Sequence, residues 1–146
     1  MIKANGHKVN ASIKSFLNYL IFLEKQLADD SFNFNEIRII FEIWEQGELS
    51  AKTIETELDL DKGYTSRILK RLVSEDLVQK VQSEEDKRLF YVSFTPKGKK
   101  VAQKLYKKYE TMIMDDFNQL SSDDQRKYLD ALEVIQKIEA NKRKKI

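Results

Sequence analysis

Residues 60–72 read LDKGYTSRILKRL, and the spacing of their apolar side chains predicts an amphipathic helix. Asp61 can cap a helix from Lys62 to about Glu75, because its carboxylate can accept hydrogen bonds from the first free backbone N–H groups. The residues expected on the inner face are Thr65, Ile68, Leu69 and Leu72. The outer face then carries basic and polar side chains, which are Lys62, Tyr64, Ser66, Arg67, Lys70 and Arg71.

The chain on either side of this helix completes a larger unit. Ser50 can cap a short helix at residues 51–58, and a turn at residues 59–61 leads into the helix described above. Two runs rich in β-branched and aromatic residues, 77–82 and 89–94, predict a hairpin whose tip is the polar sequence SEEDKR. A helix, a tight turn, a second helix and a hairpin together indicate a winged helix-turn-helix.

Longer helices are predicted on both sides of this unit. The first helix carries an apolar stripe that consists of Ile13, Phe16, Leu17, Leu20, Leu23 and Leu27. We expect Asn35 to cap the second helix and Thr95 with Pro96 to start the fifth, which should end near Asn118. Residues 122–125 have the spacing of a capping box for the sixth. The predicted fold class is therefore mainly α, with about six helices and a small β-hairpin wing.

The composition excludes several classes of protein. The 146 residues contain no cysteine, one proline and four glycines, which argues against disulfides, thiolate metal sites and glycine-rich phosphate loops. His7 is the single histidine, and we expect it in a disordered leader. We therefore predict that the protein is not an enzyme and binds no metal or cofactor. No apolar stretch approaches the ~20 residues that a bilayer crossing needs, so we expect a cytoplasmic protein without membrane contact.

Charge is distributed unevenly along the chain. Residues 29–61 carry two bases and ten acids, whereas residues 62–108 carry thirteen bases and five acids. A swing of this size indicates that one stretch of the chain faces a polyanion. Neutralisation of the blocks against each other within the fold would also explain it.

Residues 60–72, 86–88 and 94–98 resemble the MarR family of transcriptional regulators, and the resemblance covers essentially the whole chain. The most specific element is an Asp-x-Arg ahead of a Thr-x-x-Gly, which is present here as Asp86, Arg88, Thr95 and Gly98. The resemblance implies a homodimer whose first and last helices intertwine and whose two winged lobes read a pseudo-palindromic DNA site. The sequence departs from the family pattern at Asp76, where a glycine is usual, and at Phe94, where a leucine is usual.

These observations define a set of expected DNA contacts. The second helix of the motif would enter the major groove, where Arg67 or Lys62 could reach guanine acceptors. The resemblance implies that Arg88 enters the minor groove while Asp86 braces the wing. The full set of predicted DNA-binding residues is Ser50, Lys62, Tyr64, Ser66, Arg67, Lys70, Arg71, Lys87 and Arg88.

We predict one MarR-like chain over residues 1–146. Residues 32–95 would form the DNA-binding lobe, and residues 8–31 and 96–146 a helical dimerisation region. The first helix is apolar on more than one face, which favours an intertwined homodimer.

The resemblance also places an effector pocket between the dimer interface and the DNA-binding lobe. Phe16, Tyr19 and Trp44 are candidates to contact a small aromatic or phenolic effector, although core packing explains most aromatic residues equally well. The leading hypothesis is a sequence-specific regulator that acts as a repressor, since a bound dimer can occlude a promoter. An activator remains open, and the alternative class is a winged-helix protein-interaction module without specific DNA binding.

Overall fold

The computed structural model describes residue 3 and residues 5–28 and 31–144. Within them the elements in chain order are α1 (Gly6–Leu27), α2 (Phe34–Gln46), β1 (Glu48–Ser50), α3 (Ala51–Leu58), α4 (Lys62–Ser74), β2 (Val78–Gln82), β3 (Phe90–Phe94), α5 (Pro96–Asn118) and α6 (Ser122–Lys144). The predicted fold class, mainly α with six helices and a small β wing, is confirmed. The chain divides into two compact units, residues 1–108 and residues 109–146.

The first helix begins earlier than the sequence suggested. Asn5 caps α1, because its side-chain oxygen accepts a hydrogen bond from the Lys8 backbone N–H at 2.8 Å. His7 therefore lies in the first helical turn, and the prediction of a disordered leader is wrong at that residue. Residues 1, 2 and 4 of the leader lie outside the described residues.

The cap of α2 is Asn33, and the prediction of Asn35 as the cap is wrong. The Asn33 side chain accepts a hydrogen bond from the Glu36 N–H at 2.9 Å, and Glu36 Oε1 accepts one from the Asn33 N–H at 2.9 Å. This reciprocal pair is a capping box, which needs an acceptor side chain three residues after the cap. Asn33 has that partner in Glu36, whereas Asn35 lies within the first turn of the helix.

The two helices of the helix-turn-helix have the bounds and caps that the sequence predicted. Ser50 Oγ accepts a hydrogen bond from the Thr53 N–H at 3.1 Å, and Asp61 Oδ2 accepts one from the Tyr64 N–H at 3.0 Å. The residues expected on the inner face of α4 are all buried, namely Thr65, Ile68, Leu69 and Leu72. Asp76 follows this helix with φ 61°, so an aspartate occupies the left-handed position where the family usually has glycine.

The wing belongs to a three-stranded antiparallel sheet in the order β1-β3-β2. The hairpin of β2 and β3 was predicted, but the third strand, β1, was not. Leu49 in β1 lies opposite Val92, and Val78 in β2 lies opposite Phe94. Because Leu49, Val78 and Val92 are buried, one face of this sheet packs into the core of the lobe.

Thr95 starts α5 as predicted and also ties it to the end of α4. Its hydroxyl accepts a hydrogen bond from the Gly98 N–H at 3.0 Å and donates one to the Asp76 carbonyl oxygen at 2.6 Å. The backbone of Gly98 lies so close to Leu77 that a Cβ at residue 98 would stand 1.7 Å from the Leu77 carbonyl oxygen. Only glycine fits there, which gives the Thr-x-x-Gly pattern a steric cause.

The unit formed by residues 109–146 contains the end of α5 and all of α6. Ser121 caps α6, since its hydroxyl accepts a hydrogen bond from the Asp124 N–H at 3.1 Å, so the predicted capping box at residues 122–125 is wrong by one position. The rings of Phe117 and Tyr128 pack edge to face with centroids 5.8 Å apart. Leu129, Ile135 and Ile138 on α6 are exposed.

In the described part of the chain, no helix is both long enough and apolar enough to span a bilayer.

Candidate nucleic-acid interface

The exposed face of α4 gathers most of the predicted DNA-binding side chains. Burial of the four inner residues fixes the rotation of the helix about its axis, which turns the positions between them outward. The exposed residues on this face are Lys62, Ser66, Arg67 and Lys70, while Tyr64 is half-buried. Since α4 contains no acid, no negative charge within the helix offsets Lys62, Arg67 and Lys70.

Tyr64, in the first turn of α4, is contacted by a side chain of its own helix and by one from α2. The Arg67 guanidinium lies over the Tyr64 ring, 5.9 Å from its centroid, which is within the range of a cation–π contact. The Tyr64 hydroxyl accepts a hydrogen bond from the Asn35 side-chain amide at 3.4 Å. A side chain at residue 63 would crowd the helix cap, because a Cβ there would stand 3.2 Å from the Asp61 carboxylate, whereas its 3.5 Å distance to the Arg67 guanidinium is an ordinary contact.

Arg38 is a basic residue beside this face that the sequence reasoning missed. Its guanidinium donates to the Asn35 side-chain oxygen at 3.3 Å and to the Leu58 carbonyl oxygen at 3.1 Å. These bonds link α2 to the end of α3 and, through Asn35, to Tyr64. Arg38 is one of only two bases in the acidic stretch 29–61, and that isolation was the available signal.

The structure gives Arg71 a different environment from the other basic residues of α4. Its guanidinium forms an ion pair with Glu36, donates to the Ser31 carbonyl oxygen at 2.5 Å and donates through Nε to Glu75 at 3.2 Å. Burial lowers the pKa of Arg71, but the charge of Glu36 and the hydrogen bond with Glu75 outweigh it and raise that pKa above its usual value. All three nitrogens thus have a partner within the protein, although the side chain remains 41% exposed, and a phosphate contact for Arg71 stays a prediction.

Ser50 is likewise committed to the fold. Its hydroxyl caps α3 and also contacts the Thr53 hydroxyl at 2.9 Å. The residue is half-buried, and two of the three hydrogen-bonding positions of its hydroxyl are already used. A DNA-binding role for Ser50 stays a prediction.

The tip of the hairpin presents the wing residues as the sequence suggested. The Arg88 side chain is 90% exposed, and its guanidinium and backbone N–H both donate to the Asp86 carboxylate. These hydrogen bonds hold the pKa of Asp86 below its usual value. Lys87 is exposed between them, and its carbonyl oxygen accepts a hydrogen bond from the Gln82 side chain at 2.6 Å.

Of the three candidate effector residues, Trp44 lies in a cleft, and an effector contact for the three stays a prediction. Trp44 stacks on Tyr106 with ring centroids 5.9 Å apart, and it lines a small cleft of about 370 Å³ together with Lys99. The residues that line this cleft do not include Phe16 or Tyr19, both of which are half-buried on α1.

A larger cleft with a different lining lies in the unit formed by residues 1–108. It has a volume of about 840 Å³ and is formed by Phe32, the end of α4, the start of β2 and the first half of α5. Four bases line it, namely Arg71, Lys97, Lys104 and Lys108, together with the acid Glu75. Apolar walls come from Phe32, Leu77, Val101 and Leu105. Such a lining suits an anion with an apolar body.

The described residues contain no cluster of three or more histidine or acidic side chains that could hold a metal ion.

A helix-turn-helix with a basic second helix, followed by a hairpin with an exposed arginine, defines a winged helix-turn-helix protein. The MarR family model matches residues 32–90, which include α2 to α4 and the wing up to the start of β3. Residues 32–90 of the chain therefore form a MarR-family domain.

Two curated proteins illustrate the relationship. The chain is 24% identical over 138 residues to the HTH-type transcriptional regulator PchR of Bacillus subtilis, covering 92% of this chain and 80% of that protein. It is 33% identical over 63 residues to the HTH-type transcriptional regulator MgrA of Staphylococcus aureus, covering 43% of each.

Solved structures share the fold at lower identity. Streptococcus pneumoniae FabT, crystallised in complex with DNA, has a TM-score of 0.80 at 18% identity and covers 94% of this chain and 99% of that one. A mutant of MarR from E. coli, complexed with operator DNA, has a TM-score of 0.68 at 16% identity, with 90% and 99% covered. PcaV of Streptomyces coelicolor, in complex with its natural ligand, has a TM-score of 0.69 at 17% identity, with 94% and 98% covered.

Proposed function

We propose that this protein is a sequence-specific DNA-binding transcriptional regulator. The observation that carries the proposal is the pairing of two exposed basic elements in one lobe: the outer face of α4 and Arg88 at the tip of the wing. A helix of this kind fits the major groove, and an extended hairpin reaches the neighbouring backbone or minor groove. The proposed partner is double-stranded DNA, which places the action of the protein in the cytoplasm.

Within this proposal the basic residues divide by task. Lys62 and Arg67 lie in the first turns of α4 and could contact base edges, because side chains near the start of a recognition helix reach deepest into the groove. Lys70 and Lys87 would neutralise phosphates, and Tyr64 and Ser66 could contact phosphate or base edges. Arg88 would enter the minor groove as a probe of its width.

We further propose that the regulator acts as a homodimer. Exposed apolar side chains lie along α1 and α6, with Ile13 59%, Leu17 53%, Leu129 55% and Ile138 54% exposed. Apolar stripes of this length are costly to leave in water, so a second copy of the chain is the partner that covers them. Two lobes related by a two-fold axis would read a pseudo-palindromic site, and repression follows if that site overlaps a promoter.

The large basic cleft supports a further part of the proposal, release by a small-molecule effector. Arg71 pairs with Glu36 and Glu75, and Lys97 donates to the Glu75 carbonyl oxygen. Lys104 and Lys108 are therefore the bases that would meet an aromatic or phenolic anion held between the apolar walls. The cleft adjoins the end of α4 through Arg71 and Glu75, so a ligand there could act on the recognition helix. This cleft is a second candidate beside the site expected around Phe16, Tyr19 and Trp44.

The proposal gives the chain no catalytic role, because a regulator of this kind needs only binding surfaces.

Selection of bound genomic fragments tests this function directly. The purified protein is mixed with sheared genomic DNA of its source, and bound fragments are sequenced in parallel with those bound by an Arg67→Ala/Arg88→Ala variant. Enrichment of fragments that share a two-fold symmetric motif, absent with the variant, supports the proposal. Equal recovery of random fragments by both proteins contradicts it and favours the interaction-module alternative.

A further inference from the structure

Glu36 is a carboxylate in the core that serves two partners at once. The residue is 2% exposed, and its Oε1 completes the capping box of α2 by accepting the Asn33 N–H. Its Oε2 forms the ion pair with the Arg71 guanidinium on α4. A glutamine would serve the capping box equally well, and burying a charge is costly unless an opposite charge pairs with it. The second partner, Arg71, is therefore the one that requires a carboxylate.

The Arg71 side chain extends this contact to the chain that precedes α2. Its guanidinium lies over the Phe32 ring at 6.0 Å from the centroid and donates to the Ser31 carbonyl oxygen at 2.5 Å. Its remaining nitrogen contact, to Glu75, stays within the end of α4. Arg71 of the recognition helix is thereby attached to the buried Glu36 carboxylate on α2 and to the Ser31 carbonyl oxygen in the segment before it.

The neighbouring residue of α2 makes the matching contact at the other end of α4. Asn35 donates to the Tyr64 hydroxyl at 3.4 Å, in the first turn of the recognition helix. Tyr64 and Arg71 are seven positions apart, which is about 10 Å along a helix axis. Two consecutive residues of α2 thus hold opposite ends of α4, and the charged contact is the stronger of the two.

We propose that Glu36 is a positioning residue for DNA reading: through Arg71 it fixes the placement of the recognition helix without contacting DNA itself. The inference rests on the proposed function. A rigid helix reads bases only if its axis is held in register with the groove, whereas phosphate contacts tolerate small displacements. Loss of the pair should therefore reduce specific binding more than non-specific binding.

The test is the variant Glu36→Gln, which keeps the side-chain length and the acceptor of the capping box. We expect the Kd for the selected operator to rise about tenfold. The Kd for a random duplex and the dependence of affinity on salt should stay unchanged, because no phosphate contact is removed. Glu75→Gln is the matched control, since it removes the exposed partner of Arg71 and should leave operator binding within about twofold.

Two results would overturn the inference. Operator and random DNA that weaken together, in step with a lower Tm, would mean that Glu36 only stabilises the fold. Tighter binding to random DNA with a steeper salt dependence would mean that Glu36 restrains an Arg71 that binds phosphate. Hydrogen exchange of the DNA-free protein gives a separate readout, in which Glu36→Gln should speed exchange in the last turn of α4 but not in α5.

The hydrogen-exchange measurement separates the positioning role of Glu36 from the proposed DNA-binding function. If the parent protein selects no operator, the proposed function fails, and the exchange difference still decides whether Glu36 positions α4. Unchanged exchange in α4 would overturn the positioning role in either case.

Discussion

Asp86 accepts three hydrogen bonds from Arg88, which come from the backbone N–H at 3.0 Å, Nε at 3.2 Å and Nη2 at 3.4 Å. One carboxylate thus orients both the chain and the guanidinium at the tip of the wing. The arginine remains 90% exposed, so it is held in place and still open to a ligand. The pair gives the Asp-x-Arg pattern a local physical reason, which is orientation of the arginine by the aspartate two residues before it.

Arg88→Ala should weaken operator binding by about 1 to 3 kcal/mol per half-site, the usual worth of a good groove contact. The loss should be larger on operators with A·T-rich flanks, whose narrow minor groove attracts a guanidinium. Lys87→Ala removes the adjacent charge and should cost much less. Equal affinities of parent and Arg88→Ala, measured by fluorescence anisotropy with the same flank preference, would show that the wing does not read DNA.

Asp86→Asn should weaken operator binding less than Arg88→Ala, because asparagine can still accept the backbone N–H but not hold the guanidinium by charge. The deficit should be constant between about pH 6 and pH 8. The pKa of Asp86 is lowered by Arg88, so its contribution is complete above the ordinary aspartate value of about 3.9 and is lost only as the pH falls through the lowered pKa. A deficit that disappears near pH 6 would contradict this.

Lys70→Ala should weaken binding to operator and to random duplex by similar factors, since Lys70 is exposed on α4 and a lysine contacts phosphate as a point charge. The slope of log affinity against log salt should fall by about 1 for each phosphate that the variant no longer neutralises. Lys127→Ala is the control, because it also removes one positive charge but does so on α6, where Lys127 pairs with Asp123. A selective loss on the operator alone would assign Lys70 to base reading.

The local signals in the sequence were sufficient for most of the helix-turn-helix. Ser50, Asp61 and Thr95 each act on backbone groups within three residues, so their caps can be predicted without knowing the fold. The basic face of α4 was also predictable, because the period of its apolar residues fixes which side chains remain outside.

Contacts between distant parts of the chain could not be predicted in this way. The strand β1 is only three residues long and exists because Glu48–Ser50 pair with residues 91–93 of β3. The partner of Arg71, Glu36, lies 35 residues earlier in the chain. The sequence therefore indicated a phosphate contact for Arg71 but not its ion pair with Glu36, which only the tertiary structure reveals.

Gly98→Ala should destabilise the fold by about 3 kcal/mol or more, because a Cβ would stand 1.7 Å from the Leu77 carbonyl oxygen and the backbone must move. Gly6→Ala is the matched control: nothing lies within 4 Å of its Cβ position, and alanine favours helix. Thermal unfolding of both variants gives the comparison. A Tm for Gly98→Ala equal to that of the parent would show that α5 can shift without cost.

Leu17→Glu should convert the protein from dimer to monomer at micromolar concentration. Leu17 is 53% exposed on α1, where the proposed partner copy would bury it, and a carboxylate placed in an apolar interface has no opposite charge to pair with. Sedimentation equilibrium gives the mass. Operator affinity should fall with the dimer, because one lobe alone reads only half of a symmetric site.

Ser15→Glu is the control for this last substitution. Ser15 is exposed and lies about 160° around the helix axis from Leu17, so the substitution adds a carboxylate to the same helix on the opposite face. It should leave both the mass and the operator affinity unchanged. If the parent itself sediments as a monomer, the apolar stripes of α1 and α6 do not mediate dimerisation, and the two-fold symmetric operator proposed above loses its structural basis.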